Sequence, residues 1–375
     1  MRRPRSPRLA MMLVIAAAGG ATAGVATADR GDDPPAPPRK PLAAAALGSL
    51  TAPAPAGIVA DVRVTNRVLP AMGPLAGLAG ESTGTLRVAR TGEFRLALTS
   101  EAGDFELTGD DRGLRLYDDR TDTIARVPLP AGATGVSDTA TQVLQRMLGT
   151  LTETFAVSDP EPGSVAGRPA YTVRITPRDD GGLLGAGELS WDAAAPVPLR
   201  FAVHARAQEE PVLELALTRV AYEDVALADV APARHPGAER LELPAADAPA
   251  DGGGAKSGLA AVRAAVPFDI AAPRTLAGLP RRAVRLVKTG AGRAAIVVYG
   301  SGLGTVIVTQ SRTPAHDPAP AAGEGLVEVN IDGATGVELA NPLGTMLQVR
   351  RGGVTEVVAG FVPPTVAERA ARELR

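Results

Sequence analysis

The sequence predicts a mainly β protein with few helices: a large domain built on an antiparallel sheet, then a smaller α+β domain. Three observations predict it. Apolar and polar residues alternate at period two through most of residues 58–217. A second series of such runs lies between residues 283 and 358, beyond a stretch rich in Pro, Ala and Gly. Helical spacing of apolar residues is confined to short segments. The length of 375 residues favours two domains, and either half could bury a core of its own.

Taken from the start, residues 1–28 read as an export signal. Arg2, Arg3, Arg5 and Arg8 precede a weakly apolar run from Leu9 to Ala28, which ends in Ala26-Thr27-Ala28. Cleavage is expected after Ala28. Left uncleaved, the same run of about 20 apolar residues would serve as a membrane anchor. On either reading the remaining chain works outside the cytoplasm. Residues 29–40 form a Pro-rich spacer, and 43–50 can make a short helix before Pro53 and Pro55.

The large domain spans residues 41–243. Ile58, Ala60, Val62 and Val64 alternate with Asp61, Arg63 and Thr65. Leu86 and Val88 continue the pattern, then Phe94, Leu96 and Leu98, then Phe105 with Leu107, Leu114 with Leu116, and Ile124. Turns fall at residues 102–103, 110–113 and 118–122, so consecutive strands are expected to pair as hairpins. Between Asp138 and Leu151, apolar residues recur at 140, 143, 144, 147, 148 and 151, one stripe of a helix with Ser137 or Asp138 as its N-cap. That stripe must cover something apolar. Strands resume with Tyr171, Val173 and Ile175, with Leu189 and Trp191, with Leu199, Phe201 and Val203, and with Leu213, Leu215 and Leu217. Arg200, Glu214 and Thr218 fall on the opposite side, as in a sheet with one wet face.

Residues 244–257 read as a linker. The small domain, 258–375, is expected to hold strands near 283–287, 294–299, 305–309, 326–331, 346–349 and 355–358. A helix from Pro364 to Leu374 closes it, with proline in the first turn.

Composition excludes much of the common chemistry. With no cysteine there is no disulfide, thiolate metal site, cysteine nucleophile or acylated N-terminal cysteine. The three histidines, His204, His235 and His316, form no metal-ligand pattern. A formal charge of −2 gives no footprint for nucleic acid. Gly300-Ser301-Gly302-Leu303-Gly304 resembles part of a phosphate loop, but β-like sequence stands on both sides, so a hairpin turn with positive φ is expected. No Gly-x-Ser-x-Gly elbow occurs. His204 lies out of phase with Phe201 and Val203, where a solvated side chain is expected. Asp110/Asp111 and Glu209/Glu210 read as solvated turns, and Asp179 to Gly182 as a loop. No catalytic residue, metal or cofactor is implied. Trp191, the single tryptophan, is expected to pack at a strand end, with a ligand wall as its alternative role.

Residues Gly163 to Pro177, with Gly167-Arg168-Pro169-Ala170-Tyr171 at their centre, resemble a strand of LolA-like and MucB/RseB-like exported proteins. Leu189-Ser190-Trp191-Asp192 followed by Pro198-Leu199-Arg200-Phe201 resembles their Trp-containing hairpin, with 193–197 replacing the usual turn. The likeness extends over roughly 41–243. Residues 272–280, 299–304 and 341–345 resemble an uncharacterised β-rich domain that follows LolA-like domains in some actinobacterial exported proteins. The resemblance implies a curved, incompletely closed antiparallel sheet covered by helices, whose apolar concave face holds acyl chains. Inward-phase candidates for such a face are Leu96, Leu98, Phe105, Leu116, Val173, Ile175, Trp191, Phe201 and Leu215. Periodicity alone is equally compatible with a hollow interior and a filled one. The expected function is a non-enzymatic, extracytoplasmic carrier of lipid or lipoprotein acyl chains. The alternative is an RseB-like sensor that binds a membrane protein, such as an anti-sigma factor, through its small domain.

Overall fold

A computed structural model describes residues 34–68, 79–101, 103–128, 155–179, 181–242, 256–289, 292–313 and 326–374. The expected signal segment, the helix at 138–151, His316 and most of the 244–257 linker lie outside these residues. The chain divides into two compact units. One comprises Met1–Arg178 with Gly185–Asp247, the other Asp179–Leu184 with Ala248–Arg375. Among the described residues no helix is long and apolar enough to cross a membrane.

The described part of the larger unit begins with an extended segment and helix α1 (Leu42–Thr51) and continues as one curled, unclosed sheet. Its strands are β1 (Gly57–Asn66), β2 (Gly80–Ala89), β3 (Phe94–Ser100), β4 (Gly103–Gly109), β5 (Gly113–Asp118), β6 (Thr123–Pro128), β7 (Phe155–Val157), β8 (Glu161–Val165), β9 (Arg168–Pro177), β10 (Leu184–Asp192), β11 (Pro198–Ala205), β12 (Leu213–Ala221) and β13 (Glu239–Glu242). The order is β13-β6-β5-β4-β3-β2-β1-β12-β11-β10-β9-β7, with β8 also on β9. Two meanders therefore join through the β1–β12 pairing, which places the first and twelfth strands side by side near the centre of the sheet.

Directly opposed residues on neighbouring strands point to the same side of a sheet. One such row reads Ala125, Leu116, Leu107, Leu96, Leu86, Ala60, Val220 across seven strands. The next row holds Phe105, Leu98, Gly84, Val62 and Leu217. These rows make one apolar face, as the period-two pattern predicts. Close backbone approach shapes it at two glycines. A Cβ at Gly84 would lie 1.8 Å from the Ala97 carbonyl oxygen, and one at Gly109 would meet the Phe94 ring at 2.2 Å. Phe94 and Gly109 are register partners, so the ring lies over the glycine and fills the side-chain gap.

The opposite face is polar and is crossed by an irregular strap, residues 222–238. Val225 and Val230 of the strap pack with Ala89 and Val59. The Ala233 N–H donates to Glu106 Oε1 at 3.1 Å, while Arg115 Nη2 donates to the Ala233 carbonyl at 3.1 Å. His235 stacks on Tyr117 with ring centroids 3.4 Å apart. The strap then delivers β13 parallel to β6. A parallel return needs a crossover of a dozen or more residues, which the strap supplies.

The smaller unit contains α2 (Leu259–Arg263), β14 (Thr275–Leu276), β15 (Leu279–Thr289), β16 (Gly292–Tyr299), β17 (Val306–Arg312), β18 (Leu326–Ile331), β19 (Ala334–Asn341), β20 (Gly344–Arg351), β21 (Val354–Gly360) and α3 (Pro364–Glu373). Its sheet runs β14-β15-β16-β17-β21-β20-β19-β18. One face packs with Val262 of α2 and Ala367, Ala370 and Ala371 of α3 around Tyr299, Val308, Leu347 and Val358. The Gly300–Gly304 segment joins two antiparallel strands, with Gly300 and Gly302 at φ of 76° and 62°. It contains one short 3-10 turn, Gly302–Gly304, and a strand follows, so no α-helix N-terminus stands there to meet a phosphate.

Candidate apolar binding face

The nine candidate face residues fall into two groups. Leu96, Leu98, Phe105 and Leu116 belong to one apolar cluster with Ile58, Val62, Val88 and Leu199, and Leu215 packs against its edge. Phe201 pairs directly with Leu215 and is half-buried. Val173, Ile175 and Trp191 lie on β9 and β10, outside that cluster, opposite Leu189, Gly187 and Tyr171 respectively. The phenol of Tyr222 lies at the cluster's margin, and the buried carboxylate of Asp118 stands opposite Phe105 at its β5 end. Leu96, Leu98, Phe105 and Leu116 are only 2–8% exposed, so the face is closed.

Trp191 has a definite structural job. Its Nε1–H donates to Ser49 Oγ on α1 at 3.1 Å, and its ring lies 5.9 Å from that of its strand partner Tyr171. The Tyr171 hydroxyl donates to the Pro38 carbonyl at 2.6 Å. These two aromatic side chains fasten the N-terminal segment and α1 to the β9–β10 hairpin. Large aromatics with a polar tip commonly bury the ring and satisfy the tip in this way.

A buried polar constellation stands beside this hairpin. Asp192 is fully buried at the end of β10. Its Oδ2 accepts from Arg168 Nε at 2.8 Å and from the Tyr222 hydroxyl at 2.7 Å, and its Oδ1 accepts from the Ala194 N–H at 2.7 Å. The Arg168 guanidinium carbon sits 4.5 Å from the centroid of the Tyr222 ring. Burial and the adjacent carboxylate push the Tyr222 phenol far above its ordinary value. All three side chains are engaged with one another, so the group is a clasp joining β9, β10 and the exit of β12. Arg168 and Asp192 stand in the two segments that carry the LolA-like resemblance. Sequence reasoning placed both in strands and turns and missed their pairing, because 24 residues separate them.

On the polar face a charge ladder crosses four strands. Arg174 approaches Glu188 at 3.6 Å, and Arg200 bridges Glu188 at 3.0 Å and Glu214 at 2.6 Å. Burial raises the Glu188 carboxyl, and Arg200 and Arg174 act against that rise.

His204 corrects an expectation. Its phase is as read, but it is 4% exposed rather than solvated, and its Nε2 has no hydrogen-bond partner. The strand is buried on both sides there: Ala202, Val203 and Ala205 are buried too. Burial lowers the imidazole from its ordinary 6.5. A base with a depressed folded-state pKa leaves the unfolded chain as the better proton acceptor. Stability of the larger unit is therefore expected to hold above pH 6.5 and to fall as pH drops below it. Urea titrations followed by Trp191 fluorescence at about pH 7.5 and 5.5 should show this loss, and His204→Phe should flatten it. Burial acts oppositely on Glu338 and Glu356 of the smaller unit, which are both raised. Their contribution is present below about pH 4.5 and is lost as pH climbs through the raised values.

The smaller unit also holds an open cleft of about 1120 Å³ edged by Arg263, Arg312, Arg351, Asp269, Asp332 and Glu356. Arg351 donates to the Ala371 and Leu374 carbonyls at the end of α3, and Arg263 to the Ile270 carbonyl. Arg351 thus closes the C-terminal end of α3, as basic groups commonly do. Among the described residues no three His, Asp or Glu side chains are grouped to hold a metal ion.

The class defined by these features is a two-unit β protein whose larger unit buries an aliphatic sheet face beneath a strapped, charged one. No protein-family model matches the sequence, and no curated protein matches it. Among solved structures, the chain is similar to the Pseudomonas aeruginosa MucA/MucB complex at 16% identity and a TM-score of 0.41, over 84% of this chain and 91% of that one. It aligns with MucB bound to MucA(peri) at 17% identity and TM-score 0.39, covering 85% and 93%. MucB alone aligns at 15% and 0.39, covering 87% and 93%. At such scores the strand order and register of this chain, rather than these likenesses, carry the structural argument.

Proposed function

We propose that the chain is a non-enzymatic, extracytoplasmic binding protein whose larger unit takes up lipid or lipoprotein acyl chains on its aliphatic sheet face. The observation that supports this reading is the pair of apolar rows: one crosses β6 to β12, and the other crosses β4 to β12 and gives way on β5 to the buried carboxylate of Asp118. Acyl chains need no polar recognition. Each methylene transferred from water contributes about 0.8 kcal/mol, so a greasy surface suffices for affinity. Because the face is closed, loading requires what covers it to give way. The clasp at Asp192 and the aromatic pins at Tyr171 and Trp191 would hold the rest of the sheet while it opens.

The test is native mass spectrometry of the full chain purified without detergent, with lipid extraction and uptake of a fluorescent fatty acid. Co-purifying lipid, or uptake weakened about tenfold or more by Leu98→Asp, is the expected result. A clean apo mass with no uptake of fatty acid or phospholipid would refute it. That outcome would favour the alternative, a regulator that holds a membrane protein such as an anti-sigma factor.

A further inference from the structure

In the smaller unit the core cluster that α2 and α3 join lies on one face of the sheet. Antiparallel sheets of this kind usually present polar residues on the uncovered side. Here the register builds an unbroken apolar row across seven strands: Ala283, Val298, Ile307, Ala359, Met346, Leu339, Leu326. None of the seven is in the core cluster, and Ile307 and Met346 are 41% and 42% exposed. The adjacent row contains Ile296, Thr309, Val357, Gln348 and Val337, with exposed Arg285 at its β15 end and exposed Glu328 at its β18 end.

We infer that this face packs against the same face of a second copy of the chain. The charge placement selects the partner. Face-to-face packing about a twofold axis parallel to the strands keeps each row against itself and reverses the strand order. The apolar row then meets the apolar row, and Arg285 of each copy meets Glu328 of the other. An isologous contact of this kind needs such self-complementarity. The area is sufficient. Six spacings of about 4.8 Å, with strands about 20–25 Å long, give about 600–700 Å² per copy, near the roughly 800 Å² per partner of a standard interface. Sheets packed in this way align within about 30°, which their twist allows.

Sedimentation of the full chain over a concentration series up to about 0.1 mM tests this directly. The expected result is a reversible monomer–dimer equilibrium. Ile307→Glu with Met346→Glu should raise the dissociation constant about 100-fold or more. Arg285→Glu and Glu328→Arg should each weaken the dimer about five- to tenfold, and the two together should restore it. The charge changes lie on the surface, so unchanged thermal melting of those variants separates loss of contact from loss of fold. A chain monomeric throughout the series overturns the inference. So does a dimer indifferent to the glutamates, or a charge-swapped double variant weaker than either single one. A monomer that instead floats with phosphatidylglycerol vesicles through Ile307 and Met346 would assign the face to a membrane and overturn it equally.

Discussion

Gly84→Val is expected to destabilise the larger unit by about 3 kcal/mol or more, the largest effect of any single added side chain in its sheet. The cause is backbone, not side-chain, crowding. A Cβ at Gly84 would lie 1.8 Å from the Ala97 oxygen, 2.8 Å from its carbonyl carbon and 2.9 Å from Leu98 Cα. None of these atoms can swing away as a flexible side chain would. Relief requires β2 and β3 to separate, which breaks the register that sets Leu86 opposite Leu96 and Ser82 opposite Ser100. The apolar rows of β1 and β4 depend on that register at one remove. Gly163→Ala is the matched control, since nothing lies within 4 Å of a Cβ there. It should be neutral or slightly stabilising through the unfolded chain. Urea unfolding followed by Trp191 should separate the two, with a fall in midpoint at nearly constant slope for Gly84→Val. A midpoint shift under about 1 kcal/mol would show that the sheet flattens cheaply at this point.

This glycine also marks the limit of what could be read from the residues. The alternation of Ile58, Ala60, Val62 and Val64 is local, and so was every strand built on such alternation. The contact that makes Gly84 necessary lies on another strand and leaves no local trace. The same division runs through the chain. Glu239–Glu242 is exposed at every position, so no period announces β13, although it closes one edge of the sheet. Glu161–Val165 begins Glu-Pro-Gly, which reads as a turn, yet its backbone pairs with β9. Ala334–Asn341 joins small residues with a buried Glu338, which obscures the alternation that its neighbours display. His204 was placed in the correct phase and the wrong environment, because phase reports which side a residue takes and not what covers that side. Of the candidate face residues, Leu96, Leu98, Phe105 and Leu116 came together, with Leu215 at their edge, whereas Val173 and Ile175 on β9 lie outside the cluster. Trp191 was drawn to α1 by a polar tip that hydrophobic phase ignores.

Asp192→Ala should cost about 3–4 kcal/mol, against about 1 kcal/mol for Tyr222→Phe. The asymmetry follows from who is left without a partner. Removing the carboxylate deprives Arg168 Nε, the Tyr222 hydroxyl and the Ala194 N–H of their acceptor at once. Arg168 is about one-third exposed on its side chain, so water can recover part of its loss, which keeps the cost below that of a wholly buried cation. Removing only the Tyr222 hydroxyl leaves Asp192 still held by Arg168 and Ala194. Arg168→Lys should fall between the two, because an ammonium keeps the charge but loses the planar guanidinium over the Tyr222 ring. Asp192→Asn is the more telling variant. It keeps the shape and an acceptor oxygen, but it places an NH₂ where one of the donors now points. A loss for Asn close to that for Ala would show that the clasp depends on a charged acceptor taking several donors. A loss for both below about 1 kcal/mol would show that the β10–β11 turn is held by its backbone bonds alone. Because Trp191 is the next residue, an opened clasp should also change its emission before global unfolding begins. The measurement therefore reports whether the clasp holds the hairpin that anchors α1 until the whole unit unfolds, as its proposed part in acyl-chain loading requires.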